Sequence, residues 1–121
     1  RLFMRKSRVS IQYKVSDKFL QSLALAMYTL TISEREVKNP AELFDYIVKH
    51  RRAELDSFTT KDLLLFAEKG HLQGDIAVSI HLSKPTNDIL SAARYRLAAR
   101  AGRVVSNIEL HRLAFSTITG E

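Results

Sequence analysis

The sequence predicts a mainly helical chain carrying a two-stranded antiparallel ribbon, built from one strand-helix-helix unit used twice. Three observations carry that prediction. First, the chain matches itself without a gap when slid by 67 positions (Ser83 minus Ser16): Leu23 meets Leu90, Ala26 meets Ala93, Tyr28 meets Tyr95, Leu30 meets Leu97, Val37 meets Val104, and Glu42-Leu43 meets Glu109-Leu110. Second, each copy opens on a run of alternating apolar and polar residues and continues into two stretches of helical spacing. Third, a unit of about 45 residues with one strand and two helices cannot bury its apolar face alone, so the partner it needs is the second copy. The 121 residues then read as one domain by size. The first half covers 8–55, a connector with a short helix 56–74, and the second half 75–121.

In the first strand, Arg8 to Val15, Val9, Ile11, Tyr13 and Val15 fall on one face and Arg8, Ser10, Gln12 and Lys14 on the other, because side chains alternate with period two. The second strand, Asp75 to Leu82, repeats this with Ile76, Val78, Ile80 and Leu82 inward and Ala77, Ser79 and His81 outward. Ser16 and Ser83 stand where a helix N-cap is expected. The first helices are predicted from Asp17 to Leu30 and from Thr86 to Ala101. Their apolar stripes are Phe19, Leu20, Leu23, Met27 and Leu30 in one and Ile89, Leu90, Ala93 and Leu97 in the other. Gly102 suits a helix C-cap, whereas the matching loop, Thr31 to Lys38, has no glycine.

Asn39-Pro40-Ala41-Glu42 and Ser106-Asn107-Ile108-Glu109 are capping boxes that start the second helices, the first with a proline in its opening turn. Leu43, Phe44, Ile47, Val48 and Leu110, Leu113, Ala114 then face the core. Between the halves, Lys61 to Gly70 reads as a connecting helix with a C-terminal glycine. Two strands related by a pseudo-twofold axis pair most simply antiparallel, which gives a ribbon over four helices. The ribbon is then completed in cis, and the expected solution state is a monomer.

Apolar residues make up 45% and charged residues 26%, a soluble globular composition. No apolar run approaches the roughly 20 residues of a membrane span. The absence of cysteine excludes disulfides and thiolate metal sites and favours a reducing, intracellular setting. Nineteen Lys and Arg against thirteen Asp and Glu give a net charge of +6, which favours a polyanionic partner. Arg1, Arg5, Lys6, Arg8 and Lys14 occur in the first fourteen residues with no acid, and Arg94, Arg96, Arg100, Arg103 and Arg112 form a second basic stretch against Glu109 alone. Eight of the thirteen acids lie between residues 34 and 68, so the two basic stretches are separated by an acidic middle.

A polar-faced strand, a first helix, a short turn (Gly102-Arg103-Val104-Val105) and a second helix opened by Asn39 or Ser106 together resemble the ribbon-helix-helix family of DNA-binding proteins. The pattern covers residues 8–55 and 75–118 and departs from the family in fusing the halves, inserting a connector and lacking the turn glycine after the first helix. At closer range, the run from Arg5 to Leu20, RKSRVSIQYKVSDKFL, resembles the VirC accessory proteins of agrobacterial T-DNA transfer. That resemblance implies a bacterial cytoplasmic virulence protein that binds double-stranded DNA near the T-DNA border and its enhancer. It also implies work beside a VirC ATPase and the border relaxase of a conjugation-like relaxosome.

The residues supply a chemistry for such binding. Arg8 and Lys14 can donate to guanine O6 and N7, Gln12 can bond adenine bidentately, and Ser10, Ser79 and His81 can also reach base edges in the major groove. The two strands differ in their outward residues, so the site need not be palindromic. Phosphate contacts are expected from the amides opening the second helices at Asn39 and Ser106, from the neighbouring Lys38 and Arg103, and from an N-terminal arm containing Arg5 and Lys6.

Tyr28 and Tyr95 occupy the place of candidate nucleophiles but read as helix residues packing at the core edge. His50, His71, His81 and His111 show no metal-ligand spacing. With no P-loop, nucleophile elbow or supported acid pair, the sequence suggests neither an enzyme nor a cofactor. A repressor of the same fold, and an adaptor docking through Glu54, Asp56, Asp62 and Glu68, are the alternative readings.

Overall fold

The computed structural model describes residues 8–68 and 71–121. It is mostly helical with one two-stranded antiparallel sheet: β1 (Arg8–Val15), α1 (Asp17–Glu34), α2 (Pro40–His50), α3 (Arg52–Leu55), α4 (Thr60–Glu68), β2 (Ile76–Ser83), α5 (Lys84–Ala101) and α6 (Asn107–Thr119). A ribbon backed by helices is compatible with the ribbon-helix-helix arrangement.

The ribbon forms because each strand has one apolar face to bury. Arg8, Ser10, Gln12 and Lys14 are exposed, as are Ala77, Ser79 and His81, while Val15, Ile80 and Leu82 are buried and Ile11, Tyr13, Ile76 and Val78 pack against the core. The register pairs Arg8 with Ser83, Ser10 with His81, Gln12 with Ser79 and Lys14 with Ala77 on the outer face. Past the end of β1 the connector closes onto the strand: Gly74 N donates to the Lys14 carbonyl at 3.3 Å and Ser16 N to the Leu72 carbonyl at 2.8 Å. A Cβ on Gly74 would stand 2.5 Å from the Val15 carbonyl oxygen, so the close approach requires a residue without one.

Each long helix starts on its expected cap. Ser16 Oγ accepts from Phe19 N at 3.2 Å and Ser83 Oγ from Thr86 N at 3.4 Å. Asn39 and Ser106 both form complete capping boxes with Glu42 and Glu109. Helix α1 packs most extensively on α6, while α2 lies against α1, α5, α6 and β2. The centre is aromatic, with the Phe19 ring edge-on to Phe115 at 5.3 Å and the Phe44 ring tilted against it at 5.6 Å, and Leu23, Leu30, Leu43, Leu90, Leu97 and Leu110 complete it.

Several boundaries move. The second strand is Ile76–Ser83 and α5 begins at Lys84, because Ser83 serves both as last strand residue and as cap. Helix α1 continues one turn past Leu30 to Glu34 and ends on Arg35, whose φ of 59° is left-handed. The sequence has no glycine to mark this stop. A short α3 precedes the connector helix, whose expected terminal Gly70 lies outside the described residues. Leu20, expected in the core, is 37% exposed, and Tyr28 and Tyr95, expected at the core edge, are each 64% exposed. At about 100° per residue Leu20 and Tyr28 project away from the α1 stripe formed by Phe19, Leu23, Ala26 and Leu30, and Tyr95 away from the α5 stripe formed by Leu90, Ala93 and Leu97.

Candidate nucleic-acid interface

The outer face of the ribbon is a continuous exposed polar surface with Gln12 and Ser79 at its middle. Directly opposed residues on one face of an antiparallel pair have Cβ atoms about 5 Å apart, so this pair sets an amide and a hydroxyl side by side. Toward one end stand Ser10 and His81, with Arg8 beyond them. Toward the other end stand Lys14 and Ala77. No ion pair engages Arg8 or Lys14 among the described residues, so both cations are free to meet a ligand. The face is rigid from beneath: the Tyr13 hydroxyl and His111 Nδ1 share a hydrogen bond of 2.8 Å, and the Tyr13 ring packs edge-on against Phe19.

Burial holds the His111 imidazole neutral, with its pKa pushed down to about 3, Arg94 adding to the effect, and burial raises the Tyr13 hydroxyl above the ordinary phenol range. His111 therefore belongs to the core beneath the ribbon. The sequence signal for this was its place beside Leu110, Leu113 and Ala114 on the inward stripe of α6.

The two helix starts are less open than the sequence suggests. At α2 the Asn39 side chain accepts from Glu42 N at 2.8 Å while Glu42 Oε1 accepts from Asn39 N at 3.0 Å. At α6 Glu109 Oε1 accepts from Ser106 N at 3.0 Å. A carboxylate thus already sits at each positive helix end, where it is favoured by the unpaired amides and the dipole. Of the amides in the first turns, those of Ala41, Asn107 and Ile108 are not used by the boxes; Pro40 has none.

The flanking cations are also engaged. Lys38 Nζ donates to Glu36 at 2.8 Å, and this bond raises the Lys38 pKa and lowers that of Glu36. Arg103 donates to both oxygens of Glu109, at 3.2 and 2.7 Å. Burial pushes the Glu109 carboxyl up, but Arg103 and the Ser106 amide outweigh it and hold it below its usual range.

The second basic stretch is mostly scaffold. Arg94 donates to the Val105 carbonyl at 3.0 Å, Arg96 pairs with Asp56, and Arg100 donates to the carbonyls of Phe58 and Asp56 at 2.9 and 2.8 Å. Arg112 is buried, donates to the Glu121 carbonyl at 3.2 Å and lies 4.1 Å above the Phe66 ring. These arginines bind the connector and the α5–α6 turn, a role that net charge cannot distinguish from a binding surface. Asp56, grouped by sequence with a docking face, is one of their partners. Arg5 and Lys6 lie outside the described residues.

Among the described residues no group of three or more His, Asp or Glu side chains is placed to hold a metal, and no helix is long and apolar enough to cross a membrane. No family model, no curated protein and no solved structure matches the chain.

Proposed function

We propose that the chain is a double-stranded DNA-binding module that presses the outer face of its ribbon into the major groove. The observation that carries this reading is the composition of that face: hydrogen-bonding and cationic side chains on one exposed surface, none in an ion pair among the described residues, over an inner face that packs on the core. A major groove about 12 Å wide admits a two-stranded ribbon. The net charge of +6 favours approach to phosphates.

We further read the molecule as two fused halves about a pseudo-twofold axis passing between Gln12 and Ser79. In support, these paired residues are 67 positions apart, the offset of the sequence match, and Arg35 and Gly102, both left-handed, have the same separation. Under that axis Lys14 corresponds to His81 and Ser10 to Ala77, so the two ends of the ribbon offer different groups and the preferred duplex is asymmetric. Together with the resemblance to VirC proteins, this favours an accessory role at border DNA in a transfer complex, beside an ATPase and a relaxase. A repressor of the same fold would use the same ribbon.

The test is binding to border, enhancer and random duplexes over a salt series. Steep weakening with salt and a preference for border or enhancer DNA are expected. Absence of binding to any duplex would overturn the reading, and a preference for no border sequence would favour the repressor.

A further inference from the structure

The outward face of α1 carries a run of large exposed side chains that the DNA reading leaves unused. Asp17, Lys18, Gln21, Ala24, Leu25, Tyr28, Ile32 and the capping Arg35 are all exposed, and at about 100° per residue those from Asp17 to Ile32 project opposite the buried stripe of Phe19, Leu23, Ala26 and Leu30. Sixty-seven positions further on, the face of α5 reads Lys84, Pro85, Asp88, Ser91, Ala92, Tyr95, Ala99 and Gly102. Leu25 and Ile32 are replaced there by alanines. The Tyr95 ring is covered by the Arg94 guanidinium at 4.5 Å, and Lys84 pairs with Asp88 at 2.9 Å. Helix α5 thus presents a small, internally paired surface at places where α1 presents Leu25, Tyr28 and Ile32, which are 38%, 64% and 57% exposed. Exposed apolar side chains grouped in this way mark an interaction surface.

The charges at the ends of the stripe say what covers it. Asp17 opens α1 and Arg35 caps its far end, both exposed, and neither closes an ion pair among the described residues. Two copies of α1 laid antiparallel with residue i facing residue 52 − i bring Asp17 of each to the level of Arg35 of the other, Ile32 beside Gln21, and Tyr28 over Ala24. The face is therefore complementary to itself. Such an isologous contact repeats each pair twice about a twofold axis.

We infer that the outer face of α1 is a self-association surface, on which a second copy of this chain docks antiparallel through Leu25, Tyr28 and Ile32 between two Asp17–Arg35 ion pairs. The contact uses neither the ribbon nor α5, so two associated molecules each keep their ribbon free.

Sedimentation equilibrium of the chain from about 5 to 500 μM, a range spanning micromolar affinities, tests it without DNA. A monomer–dimer equilibrium is expected, weakened roughly tenfold or more by Ile32→Lys or Leu25→Glu, with melting curves as the control for folding at these exposed sites. Asp17→Arg and Arg35→Asp each place like charges together and are expected to weaken self-association. An equimolar mixture of the two variants restores opposite charges at both ends and is expected to dimerise at least as well as the parent. A chain that stays monomeric throughout the range overturns the inference. So does a dimer indifferent to Ile32→Lys and Leu25→Glu, or a mixture of the charge variants that associates no better than either alone.

Discussion

Arg35 and Gly102 hold the same left-handed backbone conformation at the ends of α1 and α5, with φ of 59° and 68°. The bond sets agree too: the Arg35 and Glu36 amides both point to the Thr31 carbonyl, and the Gly102 and Arg103 amides to the Ala98 carbonyl. One stop uses the residue type suited to it and the other does not, since a side chain in this region costs about 1 kcal/mol or more.

Arg35→Gly is accordingly expected to stabilise the protein by about 1 kcal/mol, and Gly102→Ala to destabilise it by a similar amount although nothing lies within 4 Å of the added methyl. Urea denaturation of both variants checks this; a destabilising Arg35→Gly would show that the arginine side chain contributes more than its backbone strain costs.

Within the proposed interface, Gln12→Ala removes a base-directed amide and no charge. It is expected to flatten the preference between duplexes by about 1–3 kcal/mol, as loss of a good bidentate contact does, while Arg8→Ala and Lys14→Ala also lower the salt slope by about one unit each. Melting temperatures should stay at the parental value, because all three side chains are exposed.

The cations beside the helix starts make a contrasting prediction. Glu36→Gln and Glu109→Gln release Lys38 and Arg103 from their carboxylates while leaving the Asn39 box intact and Ser106 an amide oxygen to bond. Both variants are expected to bind every duplex more tightly and with a steeper salt dependence. Unchanged binding by both would remove Lys38 and Arg103 from the phosphate contacts.

His111 makes stability depend on pH in a defined direction. Its pKa falls from about 6.5 in the unfolded chain to about 3 in the folded protein, so the unfolded state binds the extra proton. Its contribution is complete above pH 6.5 and is lost as pH falls toward 3, with a slope approaching 1.4 kcal/mol per unit. His111→Leu should remove this share of the slope between pH 6.5 and 5 yet cost about 1–3 kcal/mol, because the Tyr13 hydroxyl loses its partner. Adding Tyr13→Phe should recover part of that loss in thermal melts.

Buried leucines of α2 and α6 give a simpler expectation. Leu43→Ala and Leu110→Ala, at sites 0% and 1% exposed, should each cost about 2–5 kcal/mol in denaturant melts.

What the sequence discloses follows from which interactions are local. Alternation in Arg8 to Val15 and Ile76 to Ser83 specifies the ribbon faces, since a one-residue slip would turn Ile11 and Ile80 to solvent. The capping boxes at Asn39 and Ser106 depend on residues three apart and are equally legible. Arg35 is not, because a non-glycine left-handed stop has no sequence signature. Gly74 acquires its meaning only when the connector returns to Val15. The largest misreading concerns the arginines from Arg94 to Arg112, whose partners Asp56, Phe58 and Glu121 lie 9 to 44 positions away in the chain. Counting charges treats these cations as available, whereas tertiary structure has already assigned them.

The pairing of β1 with β2 inside one polypeptide has a kinetic consequence. The nearest ladder partners, Val15 and Ile76, are 61 residues apart, so the ribbon closes a long loop and is expected among the later contacts to form. Where a ribbon is shared between two chains, its assembly is a second-order event that slows on dilution. Here it is unimolecular, and refolding of the ribbon proceeds at a rate independent of how many copies of the protein are present.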